Sequence, residues 1–288
     1  MKFGAPFLGA FSLKDPIMIR DYVQTIESLG FSHLFTDEIL LNDDPGCMYH
    51  ESLTLFAYLS GLTKKIIFAT GVIILPLRQT IIVARQAAEV DVLSNGRLRL
   101  GVGVGWNQKE FEAFGVDFHT RGRLIEEQIV LLKELWKKEK VNFNGTYHTL
   151  KDTCINLLPV QRSIPIWMGG VADKVIRRAA QLADGWIADE AISDDLDLFI
   201  KKLWSYLDEY GKEKRDFKII KYLQTGKIPR SDWVAHLSAW EKLGVTHTVV
   251  IPSGGWDKEN DLTRHMEDLQ SFAEEVGMKE LTKGVWHV

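Results

Sequence analysis

The chain has 288 residues, 45% of them hydrophobic and 26% charged with only 8 prolines, which supports a substantial core and excludes a disordered or collagen-like protein. Its net charge is −4, and the densest basic run, Lys137-Lys138-Glu139-Lys140, is broken by a glutamate, so no nucleic-acid partner is expected. One (β/α)8 barrel needs roughly 250 residues and would leave a few dozen for loops and insertions.

Cys47 and Cys154 lack CxxC spacing and suggest no disulfide framework. The glycine-broken start MKFGAPFLGAFSL has no signal-peptide cleavage site, and no run of about 18 apolar residues is present to span a bilayer. A cytoplasmic protein with no membrane partner is expected.

Strand and helix signals alternate along the chain. Lys2 to Gly9 reads as a first strand, and Asp15-Pro16 then supplies an N-cap with proline at the first helical position, opening a helix that Gly30 stops. Phe31 to Thr36 is strand two, followed by a polar loop through Asp43-Asp44-Pro45-Gly46 and a helix over Glu51 to Thr63. The Ile/Val-rich run Lys65 to Leu75 holds strand three. Gln79 to Leu93 has helical apolar spacing closed by Ser94-Asn95-Gly96, and Arg97 to Val102 is strand four.

Thr120 to Lys138 is an amphipathic helix, and Val141 to Leu158, with Asn144-Gly145 between β-prone residues, reads as a hairpin inserted over about 141–163. Pro165 to Met168, Gly185 to Ala188, Phe217 to Tyr222 and Val245 to Ile251 are strands five to eight. Helices over Asp173 to Ala183, Asp194 to Tyr210 (capped by Ser193 or Asp194), Ser231 to Leu243 (Ser231 as cap) and Asn260 to Val276 alternate with them. Two segments repeat, Leu29-Gly30-Phe31-Ser32-His33 and Leu243-Gly244-Val245-Thr246-His247, each a helix end, a glycine and a strand start. Eight alternating units without a linker predict an α/β protein, a closed (β/α)8 TIM barrel forming one domain over residues 1–288.

A barrel carries its chemistry at the strand C-terminal ends. Strand two ends at Asp37-Glu38, and His50 lies in the loop after it; the other histidines, His33 and His247 included, read as structural or solvated. No converging His/Asp/Glu set and no GxSxG elbow is present, so no metal ligand is expected. Strand three ends in Thr70-Gly71-Val72, whose glycine marks either a bulge or close approach to a flat ligand. Strand four runs into Gly101-Val102-Gly103-Val104-Gly105-Trp106-Asn107, where glycines on one face mean relief of crowding or room for a ring, and Trp106 either stacks on that ring or packs. Gly169-Gly170-Val171 before a helix reads as a phosphate loop or a tight turn, and Ser253-Gly254-Gly255 is a second such loop. Together these features suggest a flat, phosphorylated cofactor that carries the redox chemistry. Asp91 and Arg97, flanking the turn at Asn95-Gly96, read as a structural ion pair or cap.

The stretch from Ile66 to Trp136, with Ile164-Pro165-Ile166-Trp167-Met168-Gly169-Gly170 and Arg178-Ala179-Ala180-Gln181-Leu182-Ala183-Asp184-Gly185-Trp186, resembles the bacterial luciferase-like flavin-dependent oxidoreductases. The similarity covers the first two thirds of the chain and is greatest to the branch dependent on coenzyme F420, although FMN-dependent members share these motifs. It implies a barrel with an insertion after the fourth helix and a non-proline cis bond at Gly71-Val72 behind the flavin ring. It also places Trp106 and Asn107 beside the ring or ribityl chain and Gly169, Gly170 and Val171 at the phosphate, with Thr70, Gly71, Val72 and Gly105 among the cofactor-binding residues. The implied reaction is hydride transfer between F420 and a small organic substrate, with Glu38, Asp37 or His50 handling the proton. An FMN-dependent monooxygenase served by a partner flavin reductase is the alternative, and a non-catalytic flavin-binding protein is another. Two departures stand out: Asp37-Glu38 replaces the Asp-His of many F420-dependent relatives, and Trp106 stands where sugar-phosphate-oxidising relatives carry a catalytic glutamate. Members of the family often pair through barrel helices, and the apolar faces of Ser52 to Leu62 and Val83 to Leu93 fit either such a homodimer interface or packing in the protein's own core.

Overall fold

A computed structural model describes residues 1–7, 14–41, 49–188, 195–253 and 262–278. In chain order, β1 (Lys2–Phe7), α1 (Pro16–Ser28), β2 (His33–Thr36), α2 (Ser52–Ser60), β3 (Ile67–Thr70) and β4 (Ile73–Ile74) precede α3 (Thr80–Leu93) and β5 (Leu98–Gly103). Next come α4 (Gln108–Ala113), α5 (Arg121–Lys137), β6 (Val141–Asn144), β7 (Thr149–Thr153), β8 (Ile166–Gly169) and α6 (Asp173–Leu182). The chain continues through β9 (Gly185–Ala188), α7 (Leu196–Glu209), β10 (Lys218–Gln224), α8 (Trp233–Leu243), β11 (His247–Ile251) and α9 (Leu262–Glu275). Parallel pairing runs β3-β2-β1-β11-β10-β9-β8-β5, and β5 pairs back onto β3. Eight parallel strands therefore close the expected barrel.

The period of two along each strand sorts its side chains between the helix layer and the barrel interior. Leu34, Phe68, Leu100, Met168 and Ile219 face outward into one core with the helices. Phe35, Ala69, Trp167, Ile187, Ile220, Val249 and Ile251 form a second core inside the barrel. Interior glycines make that packing fit: a Cβ at Gly4 would lie 2.7 Å from the Phe35 ring, and one at Gly185 would lie 2.6 Å from Trp167. At Gly101 it would lie 1.8 Å from the Thr70 carbonyl oxygen, a backbone atom that cannot rotate away.

Local signals account for most element ends. Asp15 caps α1 through a 2.7 Å bond from Ile17 N, with Pro16 following, and the helix buries Ile19, Tyr22, Val23 and Ile26. The antiparallel pair β6–β7 follows α5, the fourth helix of the barrel alternation, and is held down by Glu127, which accepts from Thr146 N, Tyr147 N and His148 N. The apolar faces of α2 and α3 turn mainly inward, burying Leu53, Phe56, Leu59, Val83, Ala84, Ala87 and Ala88 in the protein's own core.

Strand three ends at Thr70, where the sequence Thr70-Gly71-Val72 puts its end, and the chain resumes as β4. Other local features differ from the sequence expectation. The six-residue α4, too short to show a helical period, is an element that the alternation does not predict. Ser231 does not cap a helix, since it sits in a 3-10 turn over Arg230–Asp232 and its hydroxyl donates to Asp232. Of the two readings of Asp91 and Arg97, the ion pair is not formed and the cap is: Arg97 donates to the carbonyls of Ser94 at the end of α3 and of Ser60 at the end of α2, and to those of Thr63 and Ile66, while Asp91 accepts from Gln161. The expected strand end at Gly9, the Asp43 to Gly46 loop, Cys47, the Ser193/Asp194 cap, the start of the last helix at Asn260 and Gly254-Gly255 lie outside the described residues.

Candidate functional site

The C-terminal mouth of the barrel opens into a pocket of about 540 Å³. Its floor is built at the break between β3 and β4. Ala69 pairs with Arg99 and Ile73 with Val102, so four steps on this strand oppose three on β5 and one residue bulges out. The Gly71-Val72 peptide within the bulge is cis. Gly71 N donates to Thr36 O at 2.7 Å, and Tyr222 Oη donates to Gly71 O at 3.2 Å. Val72 is clamped between two strands: a Cβ at Gly103 would lie 2.7 Å from one of its methyls, and a Cβ at Gly169 2.9 Å from the other. Glycine at 103 and 169 therefore makes room for Val72, and at 101 for the Thr70 carbonyl.

Buried carboxylates hold one wall. Glu38, its side chain 3% exposed, ion-pairs with Arg78 and accepts from Ile74 N at 3.1 Å. Arg78 also reaches Glu51 at 3.0 Å, and Glu51 caps α2 through Leu53 N and Thr54 N. Burial pushes the Glu38 carboxyl above the usual glutamate range, with Arg78 and the Ile74 amide pulling against it. Burial would also raise Glu51, but bonds from Thr54 and the charge of Arg78 hold it low. Glu110 ties the same loop down from α4, accepting from Leu40 N and Leu41 N at 3.2 and 3.1 Å.

Asp37, Glu38, Gly71, Val72, Gly105, Trp106, Gly169 and Gly170 all meet on the pocket wall. Trp106 stands at the rim, 85% exposed. The other candidates are placed elsewhere. Thr70 is buried with its hydroxyl on Gly101 O, Asn107 caps α4 by accepting from Lys109 N, Val171 packs against the helix-side core, and His50 lies edge-on to Phe7. Tyr222, Ile187, Ile74 and Tyr49 line the pocket without having been singled out. For Tyr222 the signal was present: Lys218, Ile220 and Tyr222 alternate along one strand, so an aromatic was due inside the barrel at its C-terminal end.

Behind the pocket, Gly170 has φ 120° and its carbonyl accepts from Trp186 Nε1 at 2.7 Å, which fixes the loop before α6. The N-cap residue Ala172 makes no side-chain bond to the helix, so the first backbone N–H groups of α6 are not capped by it. The Asp173 carboxylate in that first turn accepts from Tyr206 Oη at 2.7 Å and pairs with Lys202 at 2.6 Å.

Comparison with known proteins matches residues 9–225 to the model of the luciferase-like monooxygenase family. An uncharacterised protein of Mycobacterium tuberculosis is 32% identical over 234 residues, 80% of this chain and 78% of that one. The F420-dependent glucose-6-phosphate dehydrogenase of Microbacterium testaceum is 27% identical over 243 residues, 80% of this chain and 70% of that one. Among solved structures, an F420-dependent secondary alcohol dehydrogenase in complex with an F420-acetone adduct superposes with a TM-score of 0.80 at 15% identity, covering 96% of this chain and 98% of that one.

Proposed function

The chain belongs to the luciferase-like monooxygenase family, and from that premise we propose that it transfers a hydride between coenzyme F420 and a small organic substrate. The observation that carries the reading is the pocket itself. It has the size of a cofactor site, lies at the barrel's C-terminal mouth and is mostly apolar, with Asp37, Glu38, Tyr49 and Tyr222 as its polar side chains. The F420 dependence of the similar dehydrogenase supports the choice of cofactor.

The residues present fit such a group. Val72, backed by Gly103 and Gly169, offers an apolar floor for a ring, and Ile74, Val104 and Ile187 offer its walls. The Gly169-Gly170 loop and the α6 N-terminus suit a phosphate, and Trp106 suits the exposed edge. When bound, the deazaflavin supplies the two-electron chemistry that no side chain here can perform. Asp37 stands on the wall to hold or pass the proton that accompanies the hydride. Glu38 positions the wall through Arg78 and Ile74 N, and His50 supports Phe7 from outside the lining.

Fluorescence titration with F420 and with FMN, followed by an anaerobic reduction assay over a panel of small alcohols and ketones, tests the reading. F420 is expected to bind, and Asp37→Asn to lower kcat by about a hundredfold. Glu38→Gln is expected to weaken cofactor binding while leaving kcat at saturation within a few-fold. Preference for FMN with oxygen consumption would move the assignment to a monooxygenase, and binding of neither cofactor would defeat it.

A further inference from the structure

We propose that the N-terminal mouth of the barrel is a second binding site, for a small oxyanion that carries its own proton, of the hydrogen-phosphate class. A cavity of about 350 Å³ opens there, with Lys2 of β1, Arg99 of β5 and Lys218 of β10 on its wall and His33 and His247 at its base. Trp167, stacked on Phe35 at 6.0 Å, separates it from the upper pocket.

Among the described residues the three cations form no ion pair: the Lys2 ammonium makes no hydrogen bond or ion pair, the Lys218 ammonium donates only to Arg215 O at 3.4 Å, and the Arg99 guanidinium donates to Leu98 O and the Gln161 side-chain oxygen. Two acids, Asp184 and Asp216, share the cavity wall, and the charge of Asp91 reaches Arg99, but none lies within ion-pair distance of the three cations, and Asp91 is bonded to Gln161. Asp184 accepts from Ile166 N and pairs with Lys133, Asp216 is exposed beside Arg215, and the terminal ammonium of Met1 is taken by Glu241.

The histidines come from the two repeated segments, and the preceding hydroxyl assigns the tautomer of each. Ser32 Oγ lies 2.8 Å from both Phe3 O and His33 Nδ1. A hydroxyl has one proton, and a carbonyl oxygen can only accept, so the proton goes to Phe3 O and His33 Nδ1–H donates to Ser32. Thr246 repeats the arrangement, donating to Ile219 O at 3.0 Å and accepting from His247 Nδ1 at 2.8 Å. The rings meet edge to face at 4.7 Å, and each keeps an Nε2 lone pair with no hydrogen bond among the described residues. Burial, and then nearby positive charge, keeps both rings neutral, with His247 lowered to about 3. A metal ion would suit two imidazole lone pairs but not three unpaired cations. An anion bearing an O–H satisfies both: its charge meets the cations and its proton meets a lone pair.

Titration calorimetry at pH 7 with inorganic phosphate and with sulfate tests the site, because sulfate has the charge and shape but no proton to donate. Phosphate is expected to bind at one site and sulfate at least about tenfold more weakly. Lys218→Gln and Arg99→Gln are each expected to weaken phosphate by about tenfold or more, with Lys218→Arg restoring it. The ring ¹⁵N signals of His33 and His247 are expected to move on saturation of the unaltered protein, a readout that needs no variant. Absence of saturable binding, unchanged affinity in both charge-removing variants or unmoved histidine signals would overturn the site. Equal binding of sulfate would overturn the assignment of a proton-carrying ligand.

Discussion

The two mouths of the barrel are built from the same strands and are chemically opposite. Following β10 from bottom to top, the inward residues are Lys218, Ile220 and Tyr222; following β2 they are His33 and Phe35, with Asp37 just beyond; following β5 they are Arg99, Gly101 and Gly103. The upper charges are paired, Arg78 lying between Glu38 and Glu51, whereas the lower cations form no ion pair with a carboxylate among the described residues. Paired charge builds the upper wall, whereas at the lower mouth Lys2, Arg99 and Lys218 share the cavity with Asp184 and Asp216 without pairing to them. The contrast predicts that equivalent-looking substitutions at the two ends will behave differently.

Arg78→Met gives the largest expected effect, because it strands the buried Glu38 charge. Urea unfolding should show a loss of about 3–5 kcal/mol, and a loss under about 1 would put the upper wall on the same footing as the lower one. Gly101→Ala, in the layer between, drives a methyl into the Thr70 carbonyl and should cost about 1–3 kcal/mol. Gly103→Ala, one step higher, should instead push Val72 into the pocket, costing cofactor affinity more than stability.

Acid should expose the lower mouth. His33 and His247 have folded-state values held below the ordinary 6.5, so below that pH the unfolded chain takes up protons that the folded protein refuses. Their contribution is complete above pH 6.5 and is lost as pH falls towards the folded values, approaching about 1.4 kcal/mol per pH unit for each ring. Urea midpoints at pH 7 and 5 check this, and His247→Gln should flatten the slope. The smallest effect is expected from Lys218→Gln in ligand-free buffer, within about 0.5 kcal/mol of the unaltered protein, because no partner is left stranded.

The alternation of strand and helix signals was enough to read the barrel, and the strand-end glycines were enough to place the upper pocket. What the glycines are for was not legible. Gly103 and Gly169 make room for Val72, a contact between three strands that exists only once the barrel closes. Arg78 carries no local signal for the same reason: its partner Glu38 is 40 residues away and nothing in the sequence links them. Asn107 sits before Gln108-Lys109-Glu110 as an N-cap does, yet α4 has too few residues for a helical period to show in the sequence. The Ser32-His33 and Thr246-His247 repeats were visible, but not that β1, pairing with both β2 and β11, brings the two histidines together.

The claim that the upper mouth holds a deazaflavin is tested most directly by F420 fluorescence titration of the unaltered protein and of Gly169→Val, whose added side chain displaces Val72 from its slot. The account predicts saturable binding by the unaltered protein and at least about tenfold weaker binding by the variant. Absence of binding to the unaltered protein, or equal affinity in the two, would contradict it.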